Sequence, residues 1–192
     1  MTLDKTTLLF KSSDDNPTQR LIEGCRRNNP KCQEELYKHF FGYALAIAVR
    51  YTGDRNKAIE VVDDSFMKVF DKIRLYDKKQ DFKGWLRRIV VNTAIDEIRK
   101  QQAKSMRERT INGKDIFSNT VNDTDSGIHV SEIYELIKYL PKLHRSVFNL
   151  FEIEGYNHKE IADLLQIPES SSRTYLTRAK KELRELYKKY FR

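Results

Sequence analysis

Glycine and proline are scarce in this 192-residue chain, at seven and four residues, and no convincing alternation of apolar and polar positions marks a strand. With few interruptions and no period of two, an all-α fold is expected. No apolar run approaches the ~20 residues needed to cross a bilayer, and Met1 to Asn16 has neither the basic start nor the apolar stretch of a secretion signal. A cytoplasmic protein without membrane insertion is expected. The two cysteines, Cys25 and Cys32, have no histidine or further cysteine clustered around them, which leaves a zinc site unsupported; they read as reduced packing residues. The four histidines are scattered, and there is no glycine-rich phosphate loop, Ser–His–Asp pattern or activated cysteine. Neither an enzyme nor a bound metal or other cofactor is expected.

Positive charge is abundant. Lys and Arg number 36 against 28 Asp and Glu, a net charge of +8, so the molecule is drawn to polyanions, with nucleic acid ahead of anionic lipid. The apolar periodicity places a short helix from Leu21, a break at Asn28–Pro30 and a longer helix to about Tyr51. After a turn at Thr52–Gly53–Asp54, a third helix runs from about Arg55 to Leu75 on the stripe Ala58, Val62, Phe66, Val69 and Ile73. A charged loop, Tyr76 to Asp81, precedes a fourth helix from Phe82 to Gln102. These four make one small domain over residues 20–102, behind a disordered N-terminus of residues 1–19. Residues 103–130 have the Ser, Asn, Thr, Asp and Gly composition of a flexible linker. Overlapping its end, residues 115–137 hold Asp115, Asp123, Asp125, Glu132 and Glu135 and no Lys or Arg, an island that composition alone reads either as solvation or as a binding segment.

A second domain, residues 131–192, opens with two helices divided around Pro141. Asn157 and Glu160 have the form of a capping box ahead of Ile161, Ala162, Leu164 and Leu165. Gln166–Ile167–Pro168 interrupts, and a further helix resumes at about Glu169. Helix, tight turn, helix is a DNA-binding arrangement. Ile167, Leu176, Ala179 and Leu183 are expected to bury its inner face, while Ser171, Arg173, Thr174, Thr177 and Arg178 offer donors and acceptors to base edges and phosphates. From Arg173 to Arg192, eight basic residues face only Glu182 and Glu185. His158, at a helix start, is a candidate phosphate contact.

In the first domain, Arg88, Asn92, Asp96 and Arg99 follow three-and-four spacing and share a helix face, with Lys83 and Arg87 near the start. Tyr76, Phe82 and Trp85 flank that face, and basic groups beside aromatic rings suit single-stranded nucleic acid. Trp85, beside Leu86 and Ile89, reads as a packing residue before a stacking platform. Glu60, Asp63 and Asp64 could be imagined as a metal site, but adjacent helical residues project in different directions, so a protein-binding or solvated face is the better reading.

The stretch Ala58 to Phe70 (AIEVVDDSFMKVF) with Phe82 to Asp96 (FKGWLRRIVVNTAID) resembles region 2 of the sigma-70 family. Leu140 to Phe148 (LPKLHRSVF) with the helix-turn-helix through Leu183 resembles region 4. The two stand in the family's order over residues 20–102 and 131–187, with a short linker in place of region 3, as in the extracytoplasmic-function group. The resemblance implies a transcription initiation factor that binds core RNA polymerase through its β′ clamp and β flap, without catalysis of its own. Glu60, Asp63, Asp64 and Met67 would dock on the clamp. Tyr76, Lys78, Lys79, Lys83, Arg88, Asn92, Asp96 and Arg99 would capture melted −10 promoter DNA. Ser171, Ser172, Arg173, Thr174, Tyr175, Thr177, Arg178 and Lys181 would read the −35 element as duplex. It further implies that the acidic segment threads the polymerase's basic RNA path and that an anti-sigma factor holds the protein inactive. Ser170–Ser171–Ser172 stand where the family often has Gly-Thr-Val, which leaves Ser172 without an apolar anchor. Two rivals remain at this point: a dimeric helix-turn-helix repressor, which leaves the first domain without a task, and a protein-binding adaptor indifferent to DNA.

Overall fold

The structure, a computed structural model, describes residues 17–112 and 136–191. Helices make up the regular structure among them: α1 (Pro17–Arg26), α2 (Pro30–Thr52), α3 (Arg55–Lys72), α4 (Phe82–Asn112), α5 (Lys142–Phe148), α6 (His158–Leu165) and α7 (Glu169–Phe191). A 3-10 turn, Ile73–Leu75, extends α3, and a π-helical turn, Asn149–Ile153, extends α5. The all-α expectation holds. The acidic residues 115–135 and the N-terminal residues 1–16 lie outside the described residues.

Local chemistry sets the helix limits. Asn29 caps α2, its side chain accepting from the Lys31 and Cys32 amides with Pro30 at the first helical position, where a missing N–H costs nothing. Gly53 ends α2 in the left-handed region at φ 67° and donates its N–H to Val49 O, a conformation that suits a residue without Cβ. Asp54 then caps α3 through the Lys57 amide at 2.9 Å. The Asn157–Glu160 capping box forms as expected, with both reciprocal bonds present. Helix α4 departs from expectation: it continues to Asn112, ten residues past the boundary that the loss of apolar residues suggested.

In the first half, Leu36, Phe40, Tyr51, Val62, Phe66 and Leu86 are fully or almost fully buried between α2, α3 and α4. Helix α1 closes against α2 at Gly24, where a Cβ would meet the Cys32 sulfur at 2.2 Å. Both cysteines are free, and Cys25 is buried as expected of a packing residue. The second half buries Leu150, Ile161, Leu165 and Leu176, and its apolar core is continuous with that of the first. Helix α5 lies against the C-terminal end of α2 and α6 against α4. The halves therefore stand in contact, an arrangement that composition, which shows only a tether, could not express.

Candidate nucleic-acid interface

On α7 the helix-turn-helix presents Arg173, Thr174, Thr177, Arg178 and Lys181 to solvent. Each threonine hydroxyl donates back to the carbonyl four residues earlier, Thr174 to Ser170 O at 2.9 Å and Thr177 to Arg173 O at 3.0 Å. That fixes the rotamers and leaves the hydroxyl oxygens to accept from outside. Arg173 pairs with Glu169 at 2.5 Å; an exposed pair one turn apart is worth at most about 1 kcal/mol and is readily exchanged for a phosphate. Lys180 is tied to Glu152 at 2.7 Å and lies over the Phe151 ring.

Two expected −35 residues do not lie on that surface. Ser172 is fully buried, its hydroxyl 3.0 Å from His158 Nδ1; it falls on the inner face, one residue from the exposed Arg173. Its position does need an inward-pointing group, and His158 supplies the partner that a buried hydroxyl requires. Tyr175 is half-buried against the His144 ring at 5.2 Å. Ser171, also half-buried, stands at the edge of the reading face. His158 likewise departs from the phosphate reading: it stacks on Phe151 at 4.7 Å, and burial followed by the nearby Arg173 holds its pKa below the ordinary value. A neutral ring bonded to Ser172 is a packing element of the two-helix unit.

In the first half, Asp81 caps α4 by accepting from the Gly84 amide at 2.9 Å, and Asp77 accepts from the Lys79 amide at 2.9 Å. Tyr76 is buried, donates its hydroxyl to Gln80 O and packs on Phe82 and Trp85 at 5.5 and 5.1 Å. It therefore holds the 76–81 loop in shape and is not itself a free stacking surface. Trp85 packs as expected. Beneath the loop is a cleft of about 510 Å³ whose walls include Gln19, Tyr76, Lys78, Lys79, Asp81 and Lys83, polar and basic groups around an aromatic floor. Lys78 is paired with Glu23 at 3.2 Å.

Along α4 the expected face divides. Arg88 and Asn92 are exposed beyond the cleft. Asp96 is shared by Lys68 at 3.3 Å and Arg99 at 3.6 Å. Arg99 turns into the second half, donating through Nε to Leu164 O at 2.6 Å and through a terminal nitrogen to Asp163 O at 3.3 Å. On α3, Glu60, Asp63, Asp64 and Met67 are exposed together, Met67 at 64%. Asp63 accepts from the Tyr37 hydroxyl at 2.8 Å, and burial with that carboxylate pushes the Tyr37 pKa up to about 12. Leu75, in the 3-10 turn that follows α3, is 83% exposed, an apolar residue the helical stripe had not singled out. Among the described residues no His, Cys, Asp and Glu cluster is able to hold a metal, and no helix is long and apolar enough to cross a membrane.

The contact between the halves was not foreseen. Arg145 of α5 is 5% exposed and donates to Tyr51 O at 3.1 Å, Thr52 O at 2.7 Å and Lys138 O at 2.8 Å. Asn149 donates to Arg50 O at 2.6 Å. Glu154, its side chain 7% exposed, faces Arg87 at 2.6 Å and Arg50 at 3.8 Å. The available signal was the placement of Arg145 and Asn149, four apart on one helical face, among the apolar residues Leu143, Val147, Phe148, Leu150 and Phe151.

Residues 36–104 match the family model of sigma-70 region 2, and residues 131–183 match that of sigma-70, region 4. Among curated proteins, the ECF RNA polymerase sigma factor SigM of Bacillus subtilis is 28% identical over 158 residues, covering 80% of this chain and 94% of that protein. The ECF RNA polymerase sigma-E factor of Haemophilus influenzae is 25% identical over 178 residues, covering 84% and 90%. Among solved structures, the sigma factor RpoE of Bartonella quintana, in complex with the anti-sigma factor NepR, aligns with a TM-score of 0.49 at 20% identity, covering 83% of this chain and 98% of that one.

Proposed function

Because the chain belongs to the sigma-70 family, in its extracytoplasmic-function group, we propose that it docks on core RNA polymerase and carries that enzyme to promoters, reading the −35 element with α7 and capturing the melted −10 element with the 76–81 loop and α4. The observation that carries this is the exposed row Arg173, Thr174, Thr177 and Arg178 on the second helix of a helix-turn-helix, the geometry that puts side chains into a major groove. The cleft beneath loop 76–81, with Lys78, Lys79 and Lys83 on its rim, offers the second half of the task, a polar pocket of a size to take an unstacked base beside basic groups. Exposed Glu60, Asp63, Asp64 and Met67 mix charge with an apolar side chain, the composition of a protein-docking surface, and we assign them to the β′ clamp. The β flap is the expected partner of the second half. Work with the polymerase sets the protein in the cytoplasm, and control by an anti-sigma factor is part of the same proposal. Binding energy supplies the work of melting, with no cofactor.

In-vitro transcription with bacterial core polymerase on pooled genomic fragments, with and without the protein, tests the reading. New start sites sharing −10 and −35 sequences are expected. Sequence-specific binding by the protein alone, with no new starts, would sink the proposal in favour of a repressor.

A further inference from the structure

Helix α1 precedes the residues matched by the region 2 model, which begin at residue 36, yet it is tied to the loop that the −10 strand is proposed to meet. The last carbonyls of a helix have no partner within it. In α1 the turn amides of Arg27, Asn28 and Asn29 serve the carbonyls of Gly24 and Cys25, and Arg74 Nε serves that of Arg26 at 3.3 Å. The tie runs both ways, because the Arg26 guanidinium donates in turn to Tyr76 O. Nearly one turn earlier, Glu23 holds Lys78 at 3.2 Å and Arg27 at 3.6 Å.

These contacts grip the loop where it starts. The Tyr76 carbonyl belongs to the peptide that joins Tyr76 to Asp77, so a donor on it fixes the direction in which the chain leaves the 3-10 turn. Tyr76 departs from the helical region there, with φ −65° and ψ 124°. From that point its ring lies in the cleft, its hydroxyl reaches Gln80 O, and Lys78 and Lys79 reach the rim. Thr18 and Gln19, about two turns before Arg26 on the same helix, form a wall of that cleft. Helix α1 thus both encloses the cleft and orients the loop above it.

The two ties differ in kind. Glu23 and Lys78 form a pair open to solvent, which orders the lysine and is readily exchanged for a phosphate. Arg26 is half-buried, and its Nε is enclosed with no partner among the described residues. A native fold satisfies nearly all such donors, so a guanidinium kept in this place has a positional reason, and the Tyr76 carbonyl supplies it. The bond is charge-assisted, the stronger class of hydrogen bond.

We propose that Arg26, supported by Glu23, is a positioning residue for capture of the −10 strand: it fixes the Tyr76–Asp77 peptide so that the cleft beneath loop 76–81 is formed before DNA arrives, and thereby sets which base the cleft accepts. Arg26 touches no nucleotide itself. A loop ordered in advance does not pay for its ordering when the strand binds. The inference rests on the promoter-reading proposal above.

The test uses the full chain with core polymerase on promoter fragments. It compares the wild type with Arg26→Met, which keeps the stem and loses the donors, Arg26→Lys, which keeps a cation, and Glu23→Gln. Permanganate reactivity of −10 thymines reads the melted strand, nuclease protection reads the −35 duplex, and start-site mapping on randomised −10 sequences reads base preference. Arg26→Met is expected to lower melting about tenfold, the scale of one hydrogen bond to a charged donor, and to broaden preference at one −10 position. Protection of −35 should stay as it is. Arg26→Lys should restore part of both losses, and Glu23→Gln should cost less than Arg26→Met, as an open ion pair implies. A fold weakened in general would lose −35 protection and melting together with the −10 preference intact. That result, or wild-type melting and preference in Arg26→Met, would overturn the positioning role. A wild type that opens no promoter would instead overturn the promoter reading, and the role of Arg26 with it.

Discussion

Ser172 and Arg178 are six residues apart on one helix and separate cleanly into support and reading. The Ser172 hydroxyl is spent on His158 inside the fold, so Ser172→Ala should lower stability by about 1 kcal/mol, the usual worth of an intramolecular hydrogen bond. Promoter preference should be unchanged in start-site mapping. Arg178→Ala, on the exposed face, should leave the denaturation midpoint in place and relax selection at one base position, costing about 1–3 kcal/mol for a lost bidentate contact. An equal loss on every −35 variant would show that Arg178 only positions the helix. Cys25 carries a pH prediction. Burial, reinforced by Cys32, pushes its thiol up to about 11 from an ordinary 9.0. The folded state then holds a proton that the unfolded state releases, so this contribution is complete below pH 9 and is lost as pH rises toward 11. Urea titrations should show about 1 kcal/mol less stability at pH 10 than at pH 8 from this group, and Cys25→Ala should remove that part of the slope.

At the scale of elements, the end of α2 concentrates the strain. Gly53 has a positive φ of 67°, which costs an L-residue roughly 1–2 kcal/mol, and Arg145 occupies the place a Cβ would take. Gly53→Ala should therefore destabilise by more than the backbone term alone and displace the guanidinium. Combining it with Arg145→Gln should recover the excess in a double-mutant cycle by urea denaturation, and strict additivity would show that the two positions do not touch. The helices themselves were legible because their signals are local: the Asn157–Glu160 box, the Thr52–Gly53–Asp54 turn and the stripe of α3 each lie within a few residues of what they specify. The end of α4 was not, because residues 103–112 (AKSMRERTIN) hold too few apolar positions for a helical period to show. Tyr76 and Ser172 were misplaced for a related reason. Residue type says that a phenol or a hydroxyl can meet nucleic acid, but only the packing of Phe82 and Trp85, or of His158, decides whether it faces outward.

For the whole molecule, the packing of the halves was out of reach of sequence because it depends on pairs such as Arg145 with Thr52, separated by 93 positions. The same distinction between what is counted and what is available governs electrostatics. Eight basic residues between Arg173 and Arg192 suggest a uniformly phosphate-binding helix, yet Lys180 is held by Glu152 and the Phe151 ring, while Lys181, its neighbour, is exposed. Each cation that neutralises a DNA phosphate contributes about −0.9 to the slope of log K against log salt concentration. Lys181→Ala should flatten the slope by about one unit across all promoter sequences. Lys180→Ala should leave it close to the wild-type value, because its charge is already answered within the fold. Binding titrations of the protein on promoter duplex between about 50 and 200 mM salt read both variants directly. Equal flattening by the two would mean that Lys180 leaves Glu152 on binding, and that the recognition helix docks deeper than its exposed row alone requires.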